Sequence, residues 1–304
     1  VPSLFVLPVP GEPIGAIDDL VIAPDGSTVA ARDYNQVHAW ESASGRRLNS
    51  FSHEIWMESH LSVGKDGKIM LLYPAFPGLA VHDLAAGKSI RQLQWEEPDL
   101  VIDAATMASD GSAVAAWRTF KGSRARVWDM ASGNEIATFA LPAGRPITGA
   151  LSSGGRHLAL AVEGVAGLPS GVVIVDVKSG RSTELARVDA CARGALAFTA
   201  DGKRLAIAGP ARTSRIVEVS TGRVLVEDRG NPGSDRPALS GDGKTLAQRV
   251  GLGTVEVIDL ESGRRLRSFD LEQSVYRMAL STDARRLATT GMGGTVTVWD
   301  LSPA

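Results

Sequence analysis

The chain has 304 residues, 44% hydrophobic, 22% charged and 5% aromatic, a length that can bury a large core as one big domain or two ordinary ones. Thirty-two basic against 34 acidic residues leave it near neutral, which excludes an overall electrostatic footprint for nucleic acid or an anionic membrane. The single cysteine, Cys191, excludes an internal disulfide framework and a Cys-rich zinc or haem site, and no apolar run approaches the roughly 18 residues of a membrane span.

The chain opens at Val1 without the charged and apolar regions of a secretory leader. The expectation is an excised domain or a processed product with a cytoplasmic location. The first predicted element is a strand, Ser3 to Leu7. A short turn pattern then recurs along the chain: IAPDG ending at Gly26, VGKDG at Gly67, MASDG at Gly111, LSSGG at Gly155, FTADG at Gly202, LSGDG at Gly243 and LSTDA at Ala284. The steps between these anchors are 41, 44, 44, 47, 41 and 41 residues, a near-constant period in the range of propeller blades.

Each repeat carries a second anchor, an alternating apolar run that closes on an acid and then a Gly or Ser turn. The copies are VHAWESASG from Val37, LAVHDLAAG from Leu79, ARVWDMASG from Ala125, VVIVDVKSG from Val172, RIVEVSTG from Arg215, VEVIDLESG from Val255 and VTVWDLS from Val296. Period-two alternation between such turns signals strands joined by tight hairpins, and glycine suits the turns because it accepts positive φ. No helical period exceeds two turns, so the chain reads as all-β. Within the third repeat the four strands are expected at Ile102 to Met107, Ala113 to Trp117, Ala125 to Asp129 and Glu135 to Phe139.

The expected fold is a single domain, residues 1–304, forming a seven-bladed β-propeller with four antiparallel strands per blade. The last repeat stops after its third strand at Asp300, so the N-terminal strand is expected to complete it, the last blade being residues 275–302 plus 3–8. Such closure removes exposed sheet edges.

The dipeptides Trp128-Asp129 and Trp299-Asp300, ending the third strand of a roughly 43-residue repeat, resemble those of the WD40-repeat family. His82-Asp83, Val175-Asp176, Ile258-Asp259, Trp40-Glu41 and Val217-Glu218 are degenerate versions at the equivalent place. The Gly-His dipeptide before the first strand is lacking, so the side-chain tetrad of many members is not expected. The turns and the Ala/Arg/Gly-rich composition resemble bacterial WD40 domains, which implies a module often fused to signalling domains. The run VEVIDLESGRRL is also similar to lactonase-like and quinoprotein-like propellers, which implies a hydrolytic or redox enzyme with a site at the channel mouth as the alternative function.

Motifs for chemistry are weak. Gly87-Lys88-Ser89 and Gly243-Lys244-Thr245 imitate the end of a phosphate-binding loop, but His82 and Ala238 stand where the first glycine belongs and no helix follows. Cys191 has no histidine nearby in sequence, and the five histidines lie scattered over different repeats without metal-ligand spacing. Catalytic residues, metal ligands and cofactors are therefore expected to be none, and the chain is expected not to be an enzyme.

Alignment on the anchors brings polar residues to the mouth of the ring: Asp18, Asp19, His60, Asp103, Arg236 and Arg277. They read either as a solvated, mutually paired ring or as a recognition site for a charged peptide or small ligand. The same face gathers loop aromatics and cations, Tyr34, Trp56, Trp95, Arg118, Phe120, Arg124 and Tyr276, with the composition of an interface hot spot. The expected function is a protein–protein interaction scaffold or sensor module within a larger protein. Its expected partner is a protein or peptide, or another domain of the parent chain, bound to a monomer.

Overall fold

The computed structural model describes residues 3–7, 17–33, 36–52, 60–64, 69–75, 78–84, 86–95, 102–119, 122–141, 144–164, 170–185, 195–208, 214–228, 237–250, 253–271, 274–291 and 294–302. Apart from one 3-10 turn at Ser153–Gly155, its elements are strands. The first, β1 (Ser3–Leu7), precedes a sheet of β2 (Asp19–Ile22), β3 (Thr28–Arg32), β4 (Gln36–Glu41) and β5 (Arg47–Ser52). The next two sheets hold β6 (His60–Val63), β7 (Ile69–Ala75), β8 (Gly78–Asp83) and β9 (Lys88–Gln94), then β10 (Ala104–Met107), β11 (Ala113–Arg118), β12 (Arg124–Asp129) and β13 (Glu135–Ala140). After them come β14 (Arg145–Leu151), β15 (His157–Glu163), β16 (Gly171–Asp176) and β17 (Ser182–Leu185), followed by β18 (Ala195–Phe198), β19 (Arg204–Ala208), β20 (Ser214–Glu218) and β21 (Val224–Asp228). The chain ends with β22 (Ala238–Leu239), β23 (Thr245–Val250), β24 (Thr254–Asp259) and β25 (Arg265–Asp270), then β26 (Arg277–Leu280), β27 (Arg286–Thr290) and β28 (Val296–Asp300).

The pairing is antiparallel within every four-stranded sheet, and β1 joins the last one through Phe5↔Val298, Val6↔Thr297 and Leu7↔Val296. The expectation of a seven-bladed propeller is corrected here to six full blades. Six blades have inner strands of four to seven residues, whereas the inner strand of the blade β22–β25 is reduced to Ala238–Leu239. Pro237 precedes it directly, and proline, lacking an N–H, is confined in sheets to edges and strand starts. In the third blade the inner strand starts at Ala104 instead of Ile102, and the outer strand runs one residue further, to Ala140.

Why the sheets stand as a ring follows from which faces they bury. All six residues of β11 are buried, which a strand covered on one face cannot manage. Alternation sends Val114 and Ala116 into a cluster with Leu79, Val81 and Leu93 of the preceding blade. It sends Ala113, Ala115 and Trp117 into another with Leu151, Leu158 and Leu160 of the following blade. Every apolar cluster lies in this way between two neighbouring sheets, and the cluster joining Leu20, Val29 and Trp40 to Ala288, Val296 and Val298 closes the circle. Outer strands are exposed by contrast: in β13 only Phe139 is buried.

The turns between first and second strands share one construction. Amide-to-carbonyl bonds of 2.7–3.0 Å close them at Gly26, Gly111, Gly202, Gly243 and Ala284. The glycines hold φ between 66° and 72°, and Ala284, in the same place, holds φ 55°. Positive φ costs a side-chain-bearing residue roughly 1–2 kcal/mol, which is why glycine stands at the other four.

Candidate binding face at the mouth of the ring

The end of the ring where inner strands begin carries the polar residues aligned above, and the structure ties most of them to one another or to backbone. Arg277, first residue of β26, donates from Nε (3.1 Å) and Nη2 (3.0 Å) to the Asp18 carbonyl across the seam between last and first blades. The Asp18 carboxylate lies 3.7 Å from Arg32 Nη1. Asp19 accepts from the amides of Leu20 and, in the next blade, Leu61, both at 3.0 Å. Asp103 accepts from the Thr119 amide at 2.5 Å and its hydroxyl at 2.7 Å, holding the start of its own blade's loop. Asp18, Asp19, Arg277 and Asp103 are thus held by backbone groups, by Thr119 and by Arg32. Arg32, the second cation on Asp18, was missed because it sits at the far end of the neighbouring strand β3.

Trp95 and Arg118 correct the expectation of exposed anchors. Trp95 is 0% and Arg118 5% exposed. Trp95 follows β9 and continues the side of Leu93, two residues before it, into the wedge between second and third blades. Arg118 continues the side of Val114 and Ala116 in β11 and reaches the same wedge. There Trp95 lies 5.8 Å from the Trp128 ring, with the Arg126 and Arg118 guanidinium carbons 5.2 and 5.9 Å from its centroid, within cation–π range. Trp128 Nε1 donates to the Gln94 carbonyl at 3.2 Å and ties the third blade to the second. The signal was present in the alternation, but it matters only once a neighbouring blade covers that face.

Arg124 and Tyr276 are exposed, Tyr276 by 49%. Tyr276 directly precedes Arg277; its carbonyl accepts from Arg277 Nη1 at 3.4 Å, and its amide donates to the Thr290 carbonyl at 2.9 Å. His60 begins β6 opposite Leu72. Tyr34, Trp56, Phe120, Arg236 and Cys191 lie outside the described residues.

At the opposite end of the ring, the acids that close the third strands serve the turns. Asp129 accepts from the Ser132 hydroxyl and amide at 2.7 Å each, Asp176 from Ser179 at 2.7 and 2.9 Å, and Asp259 from Ser262 at 2.5 and 2.8 Å. These serine hydrogen bonds hold the three carboxyls below the usual carboxylate range. The acid of the Trp-Asp dipeptide is therefore a turn cap. Among the described residues no group of three or more His, Cys, Asp or Glu is placed to hold a metal ion, and no helix is long and apolar enough to cross a membrane.

No family model matches the chain, and no curated protein matches it in sequence. Among solved structures it is similar to a chain described as Kuenenia stuttgartiensis hydrazine synthase, with a TM-score of 0.69 and 15% identity over 93% of this chain and 95% of that one. At that identity the likeness shows the propeller fold alone.

Proposed function

We propose that this propeller is a WD40-type interaction module, a rigid ring that presents the mouth end to a protein or peptide segment, including one from its own parent chain. The observation that carries the reading is Tyr276. A large aromatic side chain left half exposed, directly before Arg277 in the chain, has the make-up of an interface anchor: aromatic area for burial, with a guanidinium group in the next residue. The paired framework beneath supports it, because anchors bind best when their surroundings are already ordered. The catalytic alternative has for its support the name of the structural neighbour, hydrazine synthase, which at 15% identity brings fold without chemistry.

The test is a partner recovered by crosslinking to this chain, with affinities measured for Tyr276→Ala and, as a control at the turn end, Arg46→Ala and Arg264→Ala. Tyr276→Ala is expected to cost about 2 kcal/mol, near thirtyfold in Kd, and the control changes almost nothing. Binding lost with the control set alone would move the interface to the wrong end of the ring. Turnover of a lactone or ester that disappears with Arg277→Ala would transfer the reading to an enzyme.

A further inference from the structure

The turn between the first and second strands of the fourth blade departs from the repeat. Five other blades place an aspartate before the turn glycine, as Asp25, Asp66, Asp110, Asp201 and Asp242 do, and Asp283 precedes Ala284. In the fourth blade Gly154 stands there instead, in a 3-10 turn, and Arg156 follows. Next to this turn Arg156 and His157 form a cleft of about 390 Å³ with Asp201, Lys203, Glu218 and Ser220.

Donors and acceptors in this cleft are unevenly used. Asp201 accepts from the Thr199 hydroxyl at 2.6 Å and the Lys203 amide at 3.0 Å, and Glu218 accepts from the Thr221 hydroxyl at 2.5 Å. Asp176, just behind, is engaged by Ser179. The cations are not engaged in this way. Arg156 Nε lies 3.8 Å from Asp176, beyond hydrogen-bond length, and its side chain is 75% exposed. The Lys203 ammonium makes no hydrogen bond or ion pair with any described residue. His157, stacked on Phe198 at 6.5 Å, forms the floor.

We infer that this cleft binds a carboxylate, carried by an acidic peptide side chain or by a small organic acid. Arg156 supplies a planar pair of donors and Lys203 a point charge. A monoanion fits better than a phosphate dianion, because Asp176, Asp201 and Glu218 already accept hydrogen bonds of their own and repel further negative charge. The site lies at the end of the ring opposite Tyr276, so it stands or falls independently of the interface proposed there.

The test is titration of the whole chain, followed through backbone amide resonances, with acetate, with acetamide as neutral isostere, and with the blocked tripeptide Ac-Ala-Glu-Ala-NH2. Acetate is expected to shift the Arg156, Lys203 and Ser220 amides saturably in the millimolar range, with acetamide leaving them in place. Binding weakens at least tenfold in the Arg156→Gln/Lys203→Gln double variant and is unchanged in Tyr276→Ala. A tripeptide binding more tightly than acetate identifies a peptide ligand, and equal affinities identify a small acid. Acetamide acting like acetate, no saturation with any probe, or a double variant that binds as the parent does would overturn the inference. The acetate–acetamide comparison decides it even if the double variant does not fold.

Discussion

The two ends of the ring are built on opposite plans. At the turn end one device is repeated from blade to blade, an acid capped by a serine or threonine three residues on, as Asp129, Asp176, Asp259, Glu41 and Glu218 show. At the mouth end three described blades differ: Asp19 bonds a neighbour's amide, Asp103 its own loop, and Arg277 a carbonyl across the seam. The uniform end can be local because each cap is completed within five residues. The varied end draws on groups farther off in the chain, in the same blade or the adjacent one. Repetition therefore marks the framework, and Tyr276 at one end and Arg156 at the other are where a ligand is proposed.

The comparison breaks most visibly if a residue assigned to the framework proves to belong to the surface. Trp95→Ala is expected to destabilise the fold by about 3–5 kcal/mol, as removal of a buried aromatic does, because it empties the wedge between the second and third blades. A denaturation midpoint equal to the parent's would return Trp95 to the mouth as an exposed anchor.

A smaller effect sharpens the view that the turns share one geometry. Gly202→Ala should cost about 1–2 kcal/mol from backbone strain alone, since a Cβ there meets nothing closer than Ser152 Cβ at 3.7 Å. The reverse change, Ala284→Gly, should stabilise by up to about 1 kcal/mol by relieving φ 55°, less the entropy glycine adds to the unfolded chain. Opposite signs in urea midpoints are the expected result, and equal signs would mean that the turns are not equivalent.

The smallest effect per site is the acid dependence of the turn end. Asp129, Asp176, Asp259 and Asp300 have lowered carboxyl pKa values, caused first by serine hydroxyl hydrogen bonds. A lowered folded-state value makes the contribution full above the unfolded value, about 3.9, and lost as pH falls through the folded one. Stability should therefore decline below about pH 4, and Ser179→Ala with Ser262→Ala should flatten that decline in thermal melts taken between pH 5 and 2. His38 acts in a separate window. It is 1% exposed and burial lowers its pKa, so the unfolded chain binds its proton first and stability drops as pH falls below about 6.5.

Much of the fold was legible because its signals are short-range. Asp-Gly turns, two-residue alternation and a steady period each span a few neighbouring residues, and together they lead to strands, hairpins and blades. Less of the candidate site could be read. Trp95 and Arg118 follow the parity of their strands into the core, yet their position near loops suggested exposure, and parity alone does not say whether another sheet covers that face. Arg32 and the cleft at Arg156 were missed for a related reason, since Arg32 meets Asp18 from the next strand and the cleft is made by residues of two blades.

Local chemistry along the chain was sufficient for the all-β propeller, the positive-φ turns and the capping role of the acids, since those interactions are completed within a few residues. Packing of one blade on the next settled which rings are buried, how Arg277 grips the Asp18 carbonyl, and where Pro237 shortens an inner strand's ladder. Those outcomes depend on contacts between segments that meet in space only after the ring has closed.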